Sequence, residues 1–292
     1  MNPGFTWNIV TDVQWMWSLP SMVNAFRAGF AVAVLAGVIG WFMVLRRQSF
    51  AGHSIAVTGF PGAAAAVYLG LSATLGYFGF CVGSALVIAL PTRGSGTGVG
   101  ERAHSSALIA VVQAFALALG SLFLALYGGF LSSTASFLFG NFLGITDEDV
   151  LTLVAVALAV LAVMAVIGRR LLFASIDPAV AAARGVSVRA LNILFLVLLG
   201  ATVAEVSKFT GSLLVFALLV MPAAAAQVVT ARPGLGLLLT VVIGVFVTWF
   251  GLAWAYFGNQ ATGFTITTLA FGCYVLAYAA KSVRRTLRPG VA

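Results

Sequence analysis

Few side chains in this sequence can do chemistry, and they do not cluster. His53 opens an apolar run, where a neutral imidazole can ligate zinc or simply hydrogen-bond at a membrane interface. Glu205 and Lys208 are spaced i, i+3 and can pair on one helix face. Ionisable groups at membrane depth face a pathway or a partner, although a purely structural pair explains them too. Asp147, Glu148 and Asp149 are three adjacent carboxylates able to attract cations, yet they follow Thr146 at a helix start, where cap and dipole chemistry account for them. Cys81 and Cys273 lie singly in apolar runs and read as small core residues, neither a disulfide framework nor a CxxC site. The chain has no GxxxxGK[ST], no nucleophile elbow, no HExxH and no clustered His/Cys set. It is therefore expected not to be an enzyme, with no catalytic residues. Any uphill transport would draw its energy from another subunit or an ion gradient.

The elements that position these residues must be membrane spans. Of 292 residues 62% are hydrophobic and only 8% charged, which excludes a soluble domain and predicts an all-α polytopic membrane protein. The net charge of +8 does not imply nucleic acid, because the basic residues gather at the ends of apolar segments, as a topology signal does. No cleavable signal peptide is visible in residues 1–22, where Trp7, Trp15 and Trp17 suit an interfacial lead-in. Nine spans are predicted, at about 23–45, 52–72, 74–90, 106–127, 150–167, 191–207, 212–230, 235–257 and 264–280, with eight possible if one is merged. The membrane domain is residues 23–281, followed by a basic tail, 282–292. A Gly/Ser-rich connector carries Arg93, Arg102 and His104, and an amphipathic outer segment precedes Asp147. Nine spans put the N-terminus outside, the C-terminus in the cytoplasm, and all basic residues but Arg27 and Lys208 on one side.

The charged stretch 169–189, RRLLFASIDPAVAAARGVSVR, stands apart. Asp177 can cap a short helix, Pro178 suits its first position, Arg184 its last turn, and Gly185 its stop. Its alanines carry no reactive group, so it offers a shape for something else to bind. Two spans also contain helix breakers, Pro61-Gly62 in the second and Pro222 in the seventh, running in opposite directions. Matched interruptions point to a binding site or gate, or else to kinks with small-residue packing faces.

The run VLRRQSFAGHSIAVTGFPGAAAA (44–66) resembles the opening signature of the zinc/manganese class of ABC importer permeases. SIDPAVAAARGV (175–186) is similar to that family's coupling segment, and KFTGSLLVFALLVMPAAAAQ (208–227) to its later conserved run, with Lys208, Gly211 and Pro222 in place. The resemblance implies a prokaryotic cell-membrane permease that dimerises, docks two cytoplasmic ATPase subunits and receives a metal ion from an extracellular binding protein. The metal would be cargo, with no cofactor bound permanently. It further implies that Asp177, Pro178, Arg184 and Gly185 form the ATPase coupling helix, and that His53, Val57, Pro61, Gly62, Glu205, Lys208 and Pro222 belong to the translocation pathway. One departure matters. Where the family carries an Asp and, four residues on, a His, this chain has His53 and Val57. The two-ligand site is lost, leaving His53 as a weak metal ligand. The variant looks like the actinobacterial subgroup associated with surface-anchored proteins and zinc import. The expected cargo is zinc, then manganese. Alternatives are haem or another metal chelate on the same architecture, and a gradient-driven carrier using Glu205.

Overall fold

The structure is a computed structural model in which residues 9–90, 99–127, 140 and 142–286 are described; every regular element among them is helical. These elements are α1 Ile9–Ser18, α2 Pro20–Leu45, α3 Ser49–Tyr68, α4 Ala73–Ala89, α5 Val99–Tyr127, α6 Asp147–Ile176, α7 Pro178–Ala183, α8 Val188–Val229, α9 Pro233–Gly258 and α10 Thr262–Thr286. Among the described residues seven segments are long and apolar enough to cross a membrane, and two shorter apolar helices, Ala73–Ala89 and Leu214–Val229, complete the nine predicted from sequence. Three boundaries differ from expectation. The connector before the fourth span is already helical from Val99, α6 carries Arg169 and Arg170 inside the helix, and α10 absorbs the first residues of the basic tail up to Thr286. Arg93, most of the outer segment before Asp147 and the end of the tail lie outside the described residues, as do the side chains of Arg102 and His104.

Local chemistry sets the helix ends. At the start of α6, Thr146 Oγ1 accepts from the Asp149 amide at 3.2 Å while Asp149 Oδ2 accepts from Thr146 N and Oγ1, a reciprocal cap that gives Asp149 its structural explanation. Four helices end alike, with a left-handed residue followed by an amide that reaches back five residues. In α3 it is Gly70 (φ 71°), with Leu71 N donating to Ala66 O at 2.8 Å; in α9 it is Asn259 (φ 48°), with Gln260 N donating to Ala255 O. The same motif closes α7 at Gly185 and α2 at Arg47.

The chain divides into two compact units. One comprises Met1–Trp41, Asn141–Ala155 and Ala217–Ala292; the other Phe42–Gly140 and Val156–Phe216. In the first, α2 packs closely along α9, Gly37 facing the Val241 backbone, and Gly40 lies directly on the Leu219 carbonyl. Asn24 Nδ2 donates to Ile145 O and Gln227 Nε2 to Trp41 O, so amide side chains pin backbone between elements. In the second unit α3 is the centre. Gly62 touches Gly76 backbone to backbone, and Thr58 Oγ1 meets Ser84 Oγ at 2.9 Å.

The predicted interruptions at Pro61 and Pro222 are not there. Both α3 and α8 continue through their prolines. Pro61 is enclosed, its ring packed on Gly120 of α5, and protein packing of this kind lets a membrane helix tolerate proline. The true break lies at Gly211, whose φ of 73° and ψ of 160° are open essentially to glycine alone. Gly140 abuts the Phe209–Gly211 backbone at that point, leaving no room for a Cβ. Gly211→Ala should therefore lower stability in detergent by about 1–3 kcal/mol, read by thermal unfolding. Gly79→Ala, at a helical glycine with nothing within 4 Å of the added Cβ, should be neutral or slightly stabilising.

Candidate functional site

Nearly all the residues singled out by sequence fall in the second unit, on α3, α7 and the first part of α8. The short helix α7 forms as expected. Asp177 accepts from Val180 N at 3.0 Å, Pro178 occupies the first turn, and Gly185 (φ 80°) closes the end with Val186 N donating to Ala181 O at 3.1 Å. Arg184 is the C-cap residue, its guanidinium 5.9 Å from the Phe173 ring centre. Only Ala181 is buried, and the remaining alanines and Val180 are exposed. The helix is held by its ends and leaves most of its surface open.

What holds those ends was not read from the sequence. Arg46, one residue beyond α2, donates from Nη1 to Ser175 Oγ at 3.1 Å, from Nη2 to Asn192 Oδ1 at 2.9 Å and from Nε to Gln48 Oε1 at 3.3 Å. Gln48 Nε2 donates to the same Asn192 oxygen at 2.7 Å, and the guanidinium lies over Phe195. No carboxylate pairs with Arg46 among the described residues. Burial pushes its pKa down to about 10, which leaves it charged at neutral pH. The sequence signal was present as Arg46-Arg47, but it was taken up by the topology reading.

The helix α3 is buried along most of its length, and Phe50, His53 and Val57 form the less covered stripe of its first half. His53 and Val57 are one turn apart on one face, as their spacing required. The His53 ring stands edge-on to Phe216 with centroids 4.7 Å apart, and its Nδ1 is buried without a hydrogen-bond partner. Deeper in this unit Lys208 Nζ pairs with Glu205 Oε1 at 3.0 Å. Glu205 is fully buried and its Oε2 has no partner; neither does Thr202 Oγ1, one turn earlier. This sets Thr202 apart from Thr58, Thr210, Thr240 and Thr248, whose hydroxyls each donate back to a carbonyl of their own helix. Three residues beyond Lys208 the helix breaks at Gly211.

The structure thus brings Glu205 to Lys208 and sets His53 beside Val57, but no hydrogen bond or ion pair joins the two sets. Pro61 and Gly62 serve packing of α3 on α4 and α5, and Pro222 belongs to the other unit. Among the described residues no three His, Cys, Asp or Glu side chains gather as a metal cage.

A capped helix outside the spans, a broken apolar helix and an ionisable pair at depth are features of a transporter, and the comparisons agree. The family model described as ABC 3 transport family matches residues 18–281. The chain belongs to that family. It is similar to the manganese import system permease protein ScaB of Streptococcus parasanguinis, 30% identical over 87% of this chain and 89% of that protein. It is also similar to the chelated iron transport system membrane protein YfeC of Yersinia pestis, 30% identical over 85% of this chain and 82% of that one. Among solved structures, PsaBC from Streptococcus pneumoniae in complex with Fab superposes with a TM-score of 0.82 at 26% identity, covering 96% of this chain and 99% of that chain. As an ABC 3 family member the chain is a multi-pass membrane permease, a transport component rather than an enzyme, as its lack of catalytic motifs led one to expect.

Removing the cap should loosen α7 alone. Asp177→Ala should speed hydrogen exchange of the α7 amides by about fivefold, the factor for a lost cap of about 1 kcal/mol, with protection of the spans unchanged. Gly185→Val should act in the same direction, since nothing crowds its Cβ and the penalty is purely backbone conformation.

Proposed function

We propose that this chain is the permease subunit of a binding-protein-dependent ABC importer that moves a divalent transition metal into the cytoplasm. The family match over residues 18–281 carries this reading. A homodimer provides the pathway, with the open His53/Val57 stripe of α3 turned towards it. The capped helix α7 docks a cytoplasmic ATPase subunit, and an extracellular binding protein delivers the metal. The one-sided basic residues put α7 and the C-terminus in the cytoplasm and the N-terminus outside, in a prokaryotic cell membrane. The family match supports this reading over a gradient-driven carrier using Glu205.

For the cargo, imidazole without a carboxylate beside it suits zinc better than manganese, whereas the manganese relatives support the second. With one nitrogen donor per chain and Val57 where a second would sit, the permease binds metal weakly and leaves selectivity to the binding protein. A chelate as cargo is favoured by one observation, the chelated-iron relative. Uptake into proteoliposomes holding the permease, its ATPase and its binding protein decides among these. ATP-dependent uptake of labelled zinc, with manganese competing weakly and haem not at all, is the expected result. Uptake of haem alone would mean that the missing ligands mark a change of cargo, and uptake without ATP would overturn the reading.

Glu205 and Lys208 line that pathway in this reading. Removing either partner alone leaves a buried charge unpaired, so Glu205→Gln and Lys208→Met should each destabilise by about 3–5 kcal/mol. The double variant should recover most of the thermal stability but not the uptake. Recovery of both would reduce the pair to a structural strut.

A further inference from the structure

Arg46 and its partners do more than close a turn. The α2 end is a left-handed stop with Arg47 (φ 57°) at the position glycine normally takes, Gln48 N donating to Met43 O and Arg47 N to Val44 O, both at 3.0 Å. Gln48 is also the N-cap residue of α3, yet its side chain makes no cap hydrogen bond. It reaches instead to Asn192. A glycine at 47 and a Ser or Asp at 48 would suit the local backbone better. The turn forgoes both, and the conformation that results sends the Arg46 and Gln48 side chains to distant partners.

Those partners flank α7. Ser175 is in the last turn of α6, two residues before the Asp177 cap, and Asn192 is in the first turns of α8, beyond Gly185. Each guanidinium nitrogen thus engages a different piece of chain: Nη1 the segment entering α7, Nη2 the segment leaving it, and Nε the residue that starts α3. The backbone continues the link, because Gly52 N donates to Gln48 O at 3.0 Å in the first turn of α3, and His53 follows at once. All three acceptors are neutral. A carboxylate would add an opposite charge and a bidentate geometry that fix the guanidinium. Neutral acceptors hold it in place and let it move.

Resting on the importer reading, we infer that Arg46 is the positioning residue that couples α7 to α3: displacement of α7 by its cytoplasmic partner pulls on Ser175 and Asn192, and the guanidinium passes that movement to the α3 start and the His53 stripe. Lysine cannot substitute, because a single ammonium lacks the planar fork that addresses three acceptors at once.

The test uses the whole complex in proteoliposomes with labelled zinc and manganese, reading metal transported per ATP hydrolysed. Arg46→Lys and Arg46→Met should keep ATP hydrolysis and lose metal transported per ATP by about tenfold or more, about tenfold being the factor for losing one hydrogen bond to a charged group. Asn192→Asp, which gives the guanidinium a carboxylate, should raise thermal stability while slowing hydrolysis and uptake together. A merely structural Arg46 would gain stability in Asn192→Asp without any change in turnover. A wild-type ratio in Arg46→Lys and Arg46→Met overturns the inference while the importer reading stands. Absence of ATP-dependent uptake by the wild-type complex, for either metal, overturns that reading and the inference together.

Discussion

Helices within a bilayer gain nothing from one another by excluding water, so they must associate through close packing and internally satisfied polar groups. Much of this structure follows from that constraint. Gly62 lies on Gly76, Gly40 on the Leu219 carbonyl and Gly140 on the Gly211 backbone, each an approach that a Cβ would forbid. Small hydroxyls are then matched across or along helices, as Thr58 is with Ser84 and Ser54 with the Ile109 carbonyl. Against this satisfied background, the few groups left without a partner carry information. Among the described residues Glu205 Oε2, Thr202 Oγ1, Ser207 Oγ and His53 Nδ1 are buried and unpartnered, all of them on α8 or α3.

The same constraint explains how a charge can sit at the α2–α3 turn with no carboxylate partner among the described residues. Arg46 spreads its charge over three neutral acceptors and an aromatic face. Each contact is modest, and together they offset its removal from water. Because the acceptors come from α6, α8 and the α2–α3 turn, one side chain makes the positions of three segments interdependent. A hydrophobic residue there would pack but would transmit nothing directional.

Much of the architecture was legible because its signals are local. Apolar length set the spans, and α7 was readable to the residue, since a cap at Asp177, a proline at 178 and a glycine at 185 act within one short stretch. The pairing of Glu205 with Lys208 followed from helical spacing alone. What failed depended on context. Pro61 looked like a breaker until its neighbours were known, and Gly211, matched as part of the family's run, gave no sign of a helix break, which only its φ and ψ show. Arg46 was legible only as a topology signal, because its partners Ser175 and Asn192 are 129 and 146 residues away in the chain. A residue explained by topology drew no second question.

The composition of α7 carries one more consequence. Its side chains are those of Pro178, Ala179, Val180, Ala181, Ala182 and Ala183, which have almost no rotamers to freeze. Most binding surfaces lose entropy as long side chains are ordered on contact. This one has next to none to lose, and its backbone is already fixed at both ends. A surface that receives it therefore gives up little on release and regains little on rebinding, so the contact can form and break many times at nearly constant free energy. In the proposed importer, where α7 would be engaged and let go in every cycle, that lack of memory is an advantage that bulkier residues would remove.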